Sequence, residues 1–190
     1  MILGIYGKTG SGKSTVADYL SKKGFYIIDC DKLGHDILKH GQSGYNKVVS
    51  AFGEGFFLDN MEIDRKKLGA YLFSHKEKLE VLNNISFPLI EEKVKEEIEK
   101  NKDKNILIDG AHLYKTDIVN MCDALILIKT NKSVERIIKR DNISETVAIN
   151  RLNAQENYEK CDYVIVNNDS VEELYICIDK IILEEERKTQ

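Results

Sequence analysis

The chain has 190 residues, enough for one domain with a substantial hydrophobic core. Hydrophobic residues make up 42% and charged residues 32%, which is typical of a globular protein. The net charge of −4 excludes broad nonspecific binding to nucleic acid, and no apolar run approaches the ~20 residues of a membrane span.

We therefore expect no nucleic-acid or membrane partner. The four cysteines are widely spaced, as is usual for reduced thiols of the cytosol. The sequence begins directly with an apolar run and a glycine-rich motif, so no signal peptide is expected. We predict a cytoplasmic protein that acts as a monomer or small homo-oligomer.

Five short apolar runs rich in β-branched residues alternate with helical patterns. They comprise residues Ile2 to Tyr6, Phe25 to Ile28, Ile106 to Ile108, Ala124 to Ile128 and Tyr163 to Val166. Continuous apolar runs of this kind are typical of strands that are covered on both faces. The prediction is an α/β fold with a five-stranded parallel sheet flanked by helices.

The first run leads directly into a phosphate-binding motif. Residues 7–14, GKTGSGKS, match G-x-x-x-x-G-K-S/T and open a helix predicted over residues 13–23. The glycines let successive N–H groups face phosphate oxygens, Lys13 reaches the β- and γ-phosphates, and Ser14 ligates Mg²⁺. We predict a nucleoside-triphosphate site formed by Gly10, Ser11, Gly12, Lys13, Ser14 and Thr15.

Acidic residues follow two of the predicted strands. A right-handed crossover makes the second strand parallel to the first, so Asp29 and Asp31 should reach the sheet edge that carries the loop. Asp109 follows the third strand and should reach the same edge, where it would hold Mg²⁺; a cap or turn residue before Gly110 is the alternative. The two aspartates of the second strand could serve as metal ligand or base.

The long segment between the second and third strands has helical patterns. Ser74 with Glu77 matches a capping box, and Ile90 and Val94 recur at helical spacing. We predict a helical, substrate-binding insertion over residues 32–104. The nucleotide-binding core then comprises residues 1–31 and 105–190.

Arginines follow the fourth strand. Arg136 and Arg140 lie four residues apart on one helix face, and Arg151 lies on the next helical stretch. Phosphoryl transfer requires neutralisation of the equatorial oxygens, so residues 136–158 are predicted to form an ATP-binding lid, in which Arg140 is also catalytic. A surface helix with ordinary ion pairs is the alternative.

The last helix has a capping box at Ser170 and Glu173, and its tail EEERKTQ is expected to fray in solvent.

A GTPase is disfavoured because Val134 replaces the aspartate of the guanine-reading N-K-x-D pattern after the fourth strand.

Over nearly its whole length the chain resembles the dephospho-coenzyme A kinase family. The matching pieces, in order, are GSGKSTVA (10–17), IIDCDKLGHDIL (27–38), AFG (51–53), IDRKKLGAYLF (63–73), LNNISFP (82–88), ERIIKRD (135–141), RLNAQ (151–155) and CDYVIVNN (161–168).

The resemblance implies transfer of the ATP γ-phosphoryl group to the ribose 3′-hydroxyl of dephospho-CoA, with ATP and Mg²⁺ as cofactors. It implies that Asp31 accepts the hydroxyl proton, that Arg65 binds acceptor phosphates and that Asn167 lies near adenine. A turn residue at Asn167 and a salt bridge of Arg65 to Asp64 or Glu62 are the alternatives.

The chain departs from the family pattern in three places. Where the family usually has T-G-G-I-G, this chain has Y-G-K-T-G at residues 6–10, which include Lys8 and Thr9. Phe87 replaces a histidine, and Lys115 replaces an acid. Another nucleoside or nucleotide kinase, or a non-catalytic nucleotide-binding protein on the same scaffold, is therefore the alternative function.

Overall fold

A parallel sheet forms the centre of the computed structural model, which describes residues 1–153, 155 and 160–188. Its strands are β1 (Ile2–Tyr6), β2 (Tyr26–Asp29), β3 (Ile106–Asp109), β4 (Ala124–Lys129) and β5 (Tyr163–Val166). They lie in the order β2-β3-β1-β4-β5, and every neighbouring pair is parallel. The predicted five-stranded parallel sheet is confirmed.

Eight helices accompany the strands in the described residues. They are α1 (Lys13–Lys22), α2 (Cys30–Asp36), α3 (Tyr45–Phe52), α4 (Arg65–Ser74), α5 (Lys76–Lys100), α6 (Ser133–Asp141), α7 (Glu145–Asn153) and α8 (Val171–Lys188). Short 3-10 turns occur at Glu54–Phe56, Leu113–Lys115 and Asp117–Met121. In the described part of the chain no helix combines the length and the apolar character that crossing a membrane requires.

The chain divides into two compact units. The first comprises Met1–Asp29 and Ile98–Gln190, and the second comprises Cys30–Glu97. In the first unit, buried side chains of α1 and α8 pack in one core with the sheet, among them Leu3, Ile5, Val16, Leu20, Ile126, Leu174 and Ile178. The second unit has its own core, contributed by Tyr45, Val48, Ile63, Leu68 and Leu72.

Strand register brings functional positions of the first unit to one sheet edge. Asp29 and Asp109 are direct partners on β2 and β3, and Ile5 of β1 is the partner of Asp109. Both aspartates end their strands, and the glycine-rich loop begins directly after β1. Because parallel strands end at a common edge, the two carboxylates and the loop lie at the same side of this sheet.

Two local expectations are wrong. Ser74 is the last residue of α4 rather than the cap of a new helix, and α5 begins at Lys76. The tail does not fray at EEERK, since α8 continues to Lys188, with Glu185 among its buried residues. The capping bond expected at the start of this helix is present, because the Glu173 N–H donates to the Ser170 hydroxyl at 3.2 Å.

A buried carboxylate attaches the end of α8 to the edge strand. Tyr163 donates its hydroxyl to Glu185 Oε1 at 2.6 Å, and Lys188 Nζ donates to the same oxygen at 2.7 Å. Burial acts to raise the pKa of Glu185, but the bonds from Lys188 and Tyr163 outweigh it and hold that pKa below its ordinary value. The anionic carboxylate therefore stabilises this end of the helix.

We predict that Glu185→Gln lowers the free energy of unfolding at pH 7 by about 1 kcal/mol, a small value because Lys188 is largely exposed. A folded-state pKa below the unfolded value of about 4.3 means that the contribution is present above that pH. It disappears as the pH falls through the folded-state pKa. Urea denaturation of both proteins at several pH values measures the difference.

Glu184→Gln is the matched control, since Glu184 is exposed and lies 3.6 Å from the same Lys188 amine. It should change the free energy of unfolding by less than about 0.5 kcal/mol. Equal losses in the two variants would show that the buried position of Glu185 has no special contribution.

Candidate nucleotide-binding site

The loop between β1 and α1 has the backbone shape that phosphate binding requires. Gly10 and Gly12 have φ angles of 78° and 110°, which side-chain-bearing residues rarely adopt. The Ser11 N–H donates to the Lys8 carbonyl at 3.0 Å, which closes the turn. Lys13 Nζ donates to the Gly7 carbonyl at 2.9 Å, so the lysine lies along the loop. The glycines of the motif therefore adopt the backbone conformations that this turn requires.

Side chains from α6 and from the end of β5 hold the loop through its carbonyl oxygens. Asn167 is buried, and its amide donates to the Ser11 carbonyl at 2.7 Å. Arg136 donates to the Gly10 carbonyl at 3.3 Å and to the Asn167 carbonyl at 3.2 Å. The Arg136 guanidinium thus binds the loop backbone, and its contact with ATP stays a prediction.

A further contact joins the loop to the region after α7. Gln155 Oε1 accepts a bond from the Thr9 N–H at 2.9 Å, and Gln155 Nε2 donates to the Thr9 hydroxyl at 3.0 Å. Lys8 Nζ donates to the Leu152 carbonyl at 3.4 Å. Sequence reasoning assigned no role to Thr9, because nothing local links it to a residue so distant in the chain.

The two other arginines of the predicted lid converge on one carboxylate. Arg140 contacts Asp141 through Nε at 2.7 Å and Nη2 at 3.1 Å, and Arg151 Nη1 contacts it at 2.7 Å. Hydrogen bonding from Arg140, followed by the charges of Arg140 and Arg151, holds the pKa of Asp141 below its usual range. Asp141 is a site residue that sequence reasoning missed, although it directly follows Arg140.

The residues predicted to hold Mg²⁺ offer the oxygen donors that this ion prefers. Ser14 lies exposed in the first turn of α1, and Asp109 is partly buried at the end of β3, beside Asp29. Among the described residues no group of three His, Cys, Asp or Glu side chains is arranged to hold a metal. Mg²⁺ usually takes one or two protein carboxylates together with substrate phosphates and water, so this donor set suits it.

The predicted acceptor-side residues belong to the second unit. Asp31 is exposed in the first turn of α2, and Arg65 is the exposed first residue of α4. Arg65 Nη2 makes a short contact with the His35 ring, a histidine to which sequence reasoning assigned no chemistry. The roles of Asp31 and Arg65 stay predictions. Of the lid predicted over 136–158, residues 154 and 156–158 lie outside the described residues.

These features define a class of protein. A parallel sheet whose first strand enters a glycine-rich phosphate loop and helix, with arginine-bearing helices after β4, is a P-loop kinase fold. The chain belongs to the dephospho-CoA kinase family, whose model matches residues 1–173.

Known relatives cover nearly the whole chain. A dephospho-CoA kinase of Fusobacterium nucleatum is 39% identical over 181 residues, which are 92% of this chain and 93% of the relative. The solved structure of dephospho-CoA kinase from Campylobacter jejuni is 27% identical, with a TM-score of 0.64, and covers 100% of this chain and 98% of its own. The Thermus thermophilus structure TT1252 shares the fold, with a TM-score of 0.81, 24% identity and 97% coverage of both chains.

We predict that Gly12→Ala weakens binding of a non-hydrolysable ATP analogue. A Cβ at residue 12 would lie 2.3 Å from Asn167 Nδ2, and the φ angle is +110°. Backbone strain and loss of the Asn167 bond together cost about 3 kcal/mol in the native loop conformation. The loop therefore distorts, and restoring its conformation on binding lowers the affinity roughly a hundredfold. Isothermal titration calorimetry measures the change.

Gly24→Ala separates the clash from the strain. Gly24 has a φ of +93°, but a Cβ there would meet no atom within 4 Å. This variant should lose stability while it keeps the nucleotide affinity of the parent protein. A loss of affinity as large as that of Gly12→Ala would contradict the role of the Asn167 contact.

Proposed function

We propose that this protein transfers the γ-phosphoryl group of ATP to the ribose 3′-hydroxyl of dephospho-CoA, which yields ADP and coenzyme A, the final step of coenzyme A synthesis. The observation that carries the proposal is the dephospho-CoA kinase family match over residues 1–173. The phosphate-binding loop supports it, because such a loop suits a nucleoside triphosphate donor.

The loop provides the phosphate-binding half of the reaction. Residues Gly10 to Thr15 surround the phosphates, the Ser11 N–H closes the turn, and the backbone N–H groups of Gly12 to Thr15 bind the phosphate oxygens. The N-terminus of α1 adds positive potential. Lys13 neutralises charge that develops between the β- and γ-phosphates as the bond to the leaving ADP oxygen breaks. Arg140 and Arg151 neutralise the equatorial oxygens of the transferred group.

Mg²⁺ is the proposed metal, with the Ser14 hydroxyl and the Asp109 carboxylate as its protein contacts; Asp29 is the alternative carboxylate. When bound, the ion supplies neutralisation of the β- and γ-phosphate oxygens. We further propose that the protein works in the cytoplasm, as a monomer or small homo-oligomer, with no nucleic-acid partner.

Asp31 is proposed to receive the proton of the attacking hydroxyl. A carboxylate is a weak base towards an alcohol hydroxyl. Its main contribution is therefore to orient the hydroxyl towards phosphorus, and it takes the proton late, as the new O–P bond forms. The electrons of the broken bond leave with the β-phosphate oxygen of ADP.

Arg65 is proposed to bind the phosphates of the acceptor. Its exposed guanidinium contacts the His35 ring, and this contact fixes the orientation of the remaining N–H donors. Asn167 is proposed to lie near the adenine of ATP while it holds the loop.

We predict that ADP release from ATP depends on dephospho-CoA. Turnover with dephospho-CoA should exceed the rate without acceptor by at least about a hundredfold, since an oriented hydroxyl replaces water as nucleophile. A coupled assay with dephospho-CoA, with nucleoside monophosphates and without acceptor measures this. The comparison is informative because Phe87 and Lys115 depart from the family pattern. Turnover with a nucleoside monophosphate but not with dephospho-CoA indicates a different kinase. ATP binding without turnover of any acceptor indicates a non-catalytic protein.

We also predict that Asp31→Asn lowers kcat by about a hundredfold or more, because a positioned base contributes that much. The affinity for ATP should stay within about twofold, since the base binds the acceptor and not the nucleotide. Asp36→Asn is the matched control: it removes a carboxylate of the same helix that pairs with Lys39 at 2.6 Å. Undiminished kcat in Asp31→Asn would remove Asp31 from catalysis.

A further inference from the structure

One carboxylate at the corner between α6 and α7 binds both lid arginines. Asp141 is the last residue of α6, and its side chain is only 23% exposed, whereas those of Arg140 and Arg151 are 59% and 49% exposed. Oδ1 accepts from Arg140, and Oδ2 accepts from both arginines. Two long, solvent-facing side chains therefore meet at a single, less exposed acceptor.

The backbone of this corner is well defined. Asn142 adopts a left-handed conformation with a φ of 51°, and its N–H donates to the Ile138 carbonyl at 2.9 Å. Ile137 and Ala148 are fully buried, one on each helix. Because the helices are fixed by these buried residues, Asp141 sets the directions of the guanidinium groups rather than the packing of the helices.

The contacts leave donors for an anion. A guanidinium has five N–H donors in one plane; the carboxylate engages two of Arg140 and one of Arg151. Binding through Nε and Nη2 fixes the plane of Arg140, as is usual for bidentate pairs. Two arginines and one aspartate retain a net positive charge, so the cluster still attracts phosphate.

We propose that Asp141 is a positioning residue that orients Arg140 and Arg151 as a pair for the terminal phosphate of ATP. This inference rests on the proposed function, in which the lid arginines bind the transferred group. Side chains that are already ordered lose less freedom when phosphate binds, so orientation by Asp141 strengthens the arginine–phosphate contacts. A carboxylate that only competed with phosphate for the arginines would have the opposite effect.

The test compares binding of adenylyl imidodiphosphate, a non-hydrolysable triphosphate, with binding of ADP by calorimetry, in the presence of Mg²⁺. The preference for the triphosphate over ADP reports the contacts of the terminal phosphate. We expect Asp141→Asn to reduce this preference about tenfold and to lower kcat more than it raises the KM for dephospho-CoA. Asp141→Glu, which keeps the charge, should restore part of the preference.

Arg151→Lys tests whether the residues act as a unit. The double variant Asp141→Asn/Arg151→Lys should lose no more of the preference for the triphosphate over ADP than the more strongly affected single variant, because both substitutions disrupt the same arrangement. Glu135→Gln is the control, because it removes one exposed negative charge from the same helix, and it should match the parent protein.

The outcomes separate the two proposals. The positioning role of Asp141 is overturned if Asp141→Asn leaves the preference for the triphosphate over ADP unchanged or increases it. It is also overturned if the losses of the two single variants add strictly in the double variant. Absence of turnover with dephospho-CoA, with the loss of preference still observed, overturns the proposed acceptor and leaves the role of Asp141 intact.

Discussion

The hydrogen bonds to the carbonyl oxygens of the phosphate-binding loop are the interaction on which the nucleotide site depends. Asn167 and Arg136 both donate to the Ser11 carbonyl, and a peptide group whose C=O is held on one side presents its N–H, here that of Gly12, to the opposite side. These partners come from β5 and α6, far along the chain from the loop. The glycines allow the loop conformation, but the distant side chains select it.

The loop is bound at two places that lie close in sequence to the arginines proposed to bind phosphate. Arg136 binds the loop backbone and precedes Arg140 by four residues; Gln155 binds Thr9 and follows Arg151 by four residues. Arg136 and Arg140 lie on one face of α6, so the first attachment constrains the position of Arg140. Gln155 lies beyond the end of α7, and its N–H donates to the Leu152 carbonyl of that helix at 3.2 Å. Hydrogen bonds therefore connect the loop to α6 and, through Gln155, to the end of α7.

Local patterns predicted the sheet, the loop and most strand limits, because continuous apolar runs and the glycine motif depend on neighbouring residues. Contacts between distant segments were not predictable in this way. The tail was expected to fray because its residues are charged, yet Glu185 finds Tyr163 on β5. The pairing of Arg151 with Asp141 likewise crosses the corner between two helices, where helical spacing rules do not apply.

The two departures from the family pattern within the loop, Lys8 and Thr9, both contact residues near the end of α7. Thr9 supplies the hydroxyl that accepts the second bond of Gln155, and Lys8 reaches the Leu152 carbonyl. An apolar residue at position 9 could offer Gln155 only its backbone N–H. In this chain these two residues contribute contacts between the loop and the segment that contains Leu152 and Gln155, while Gly12 and Lys13, which belong to the phosphate-binding motif, are kept. The two positions at which the loop departs from the family pattern thus serve contacts within the protein, whereas the residues that the motif assigns to phosphate match it.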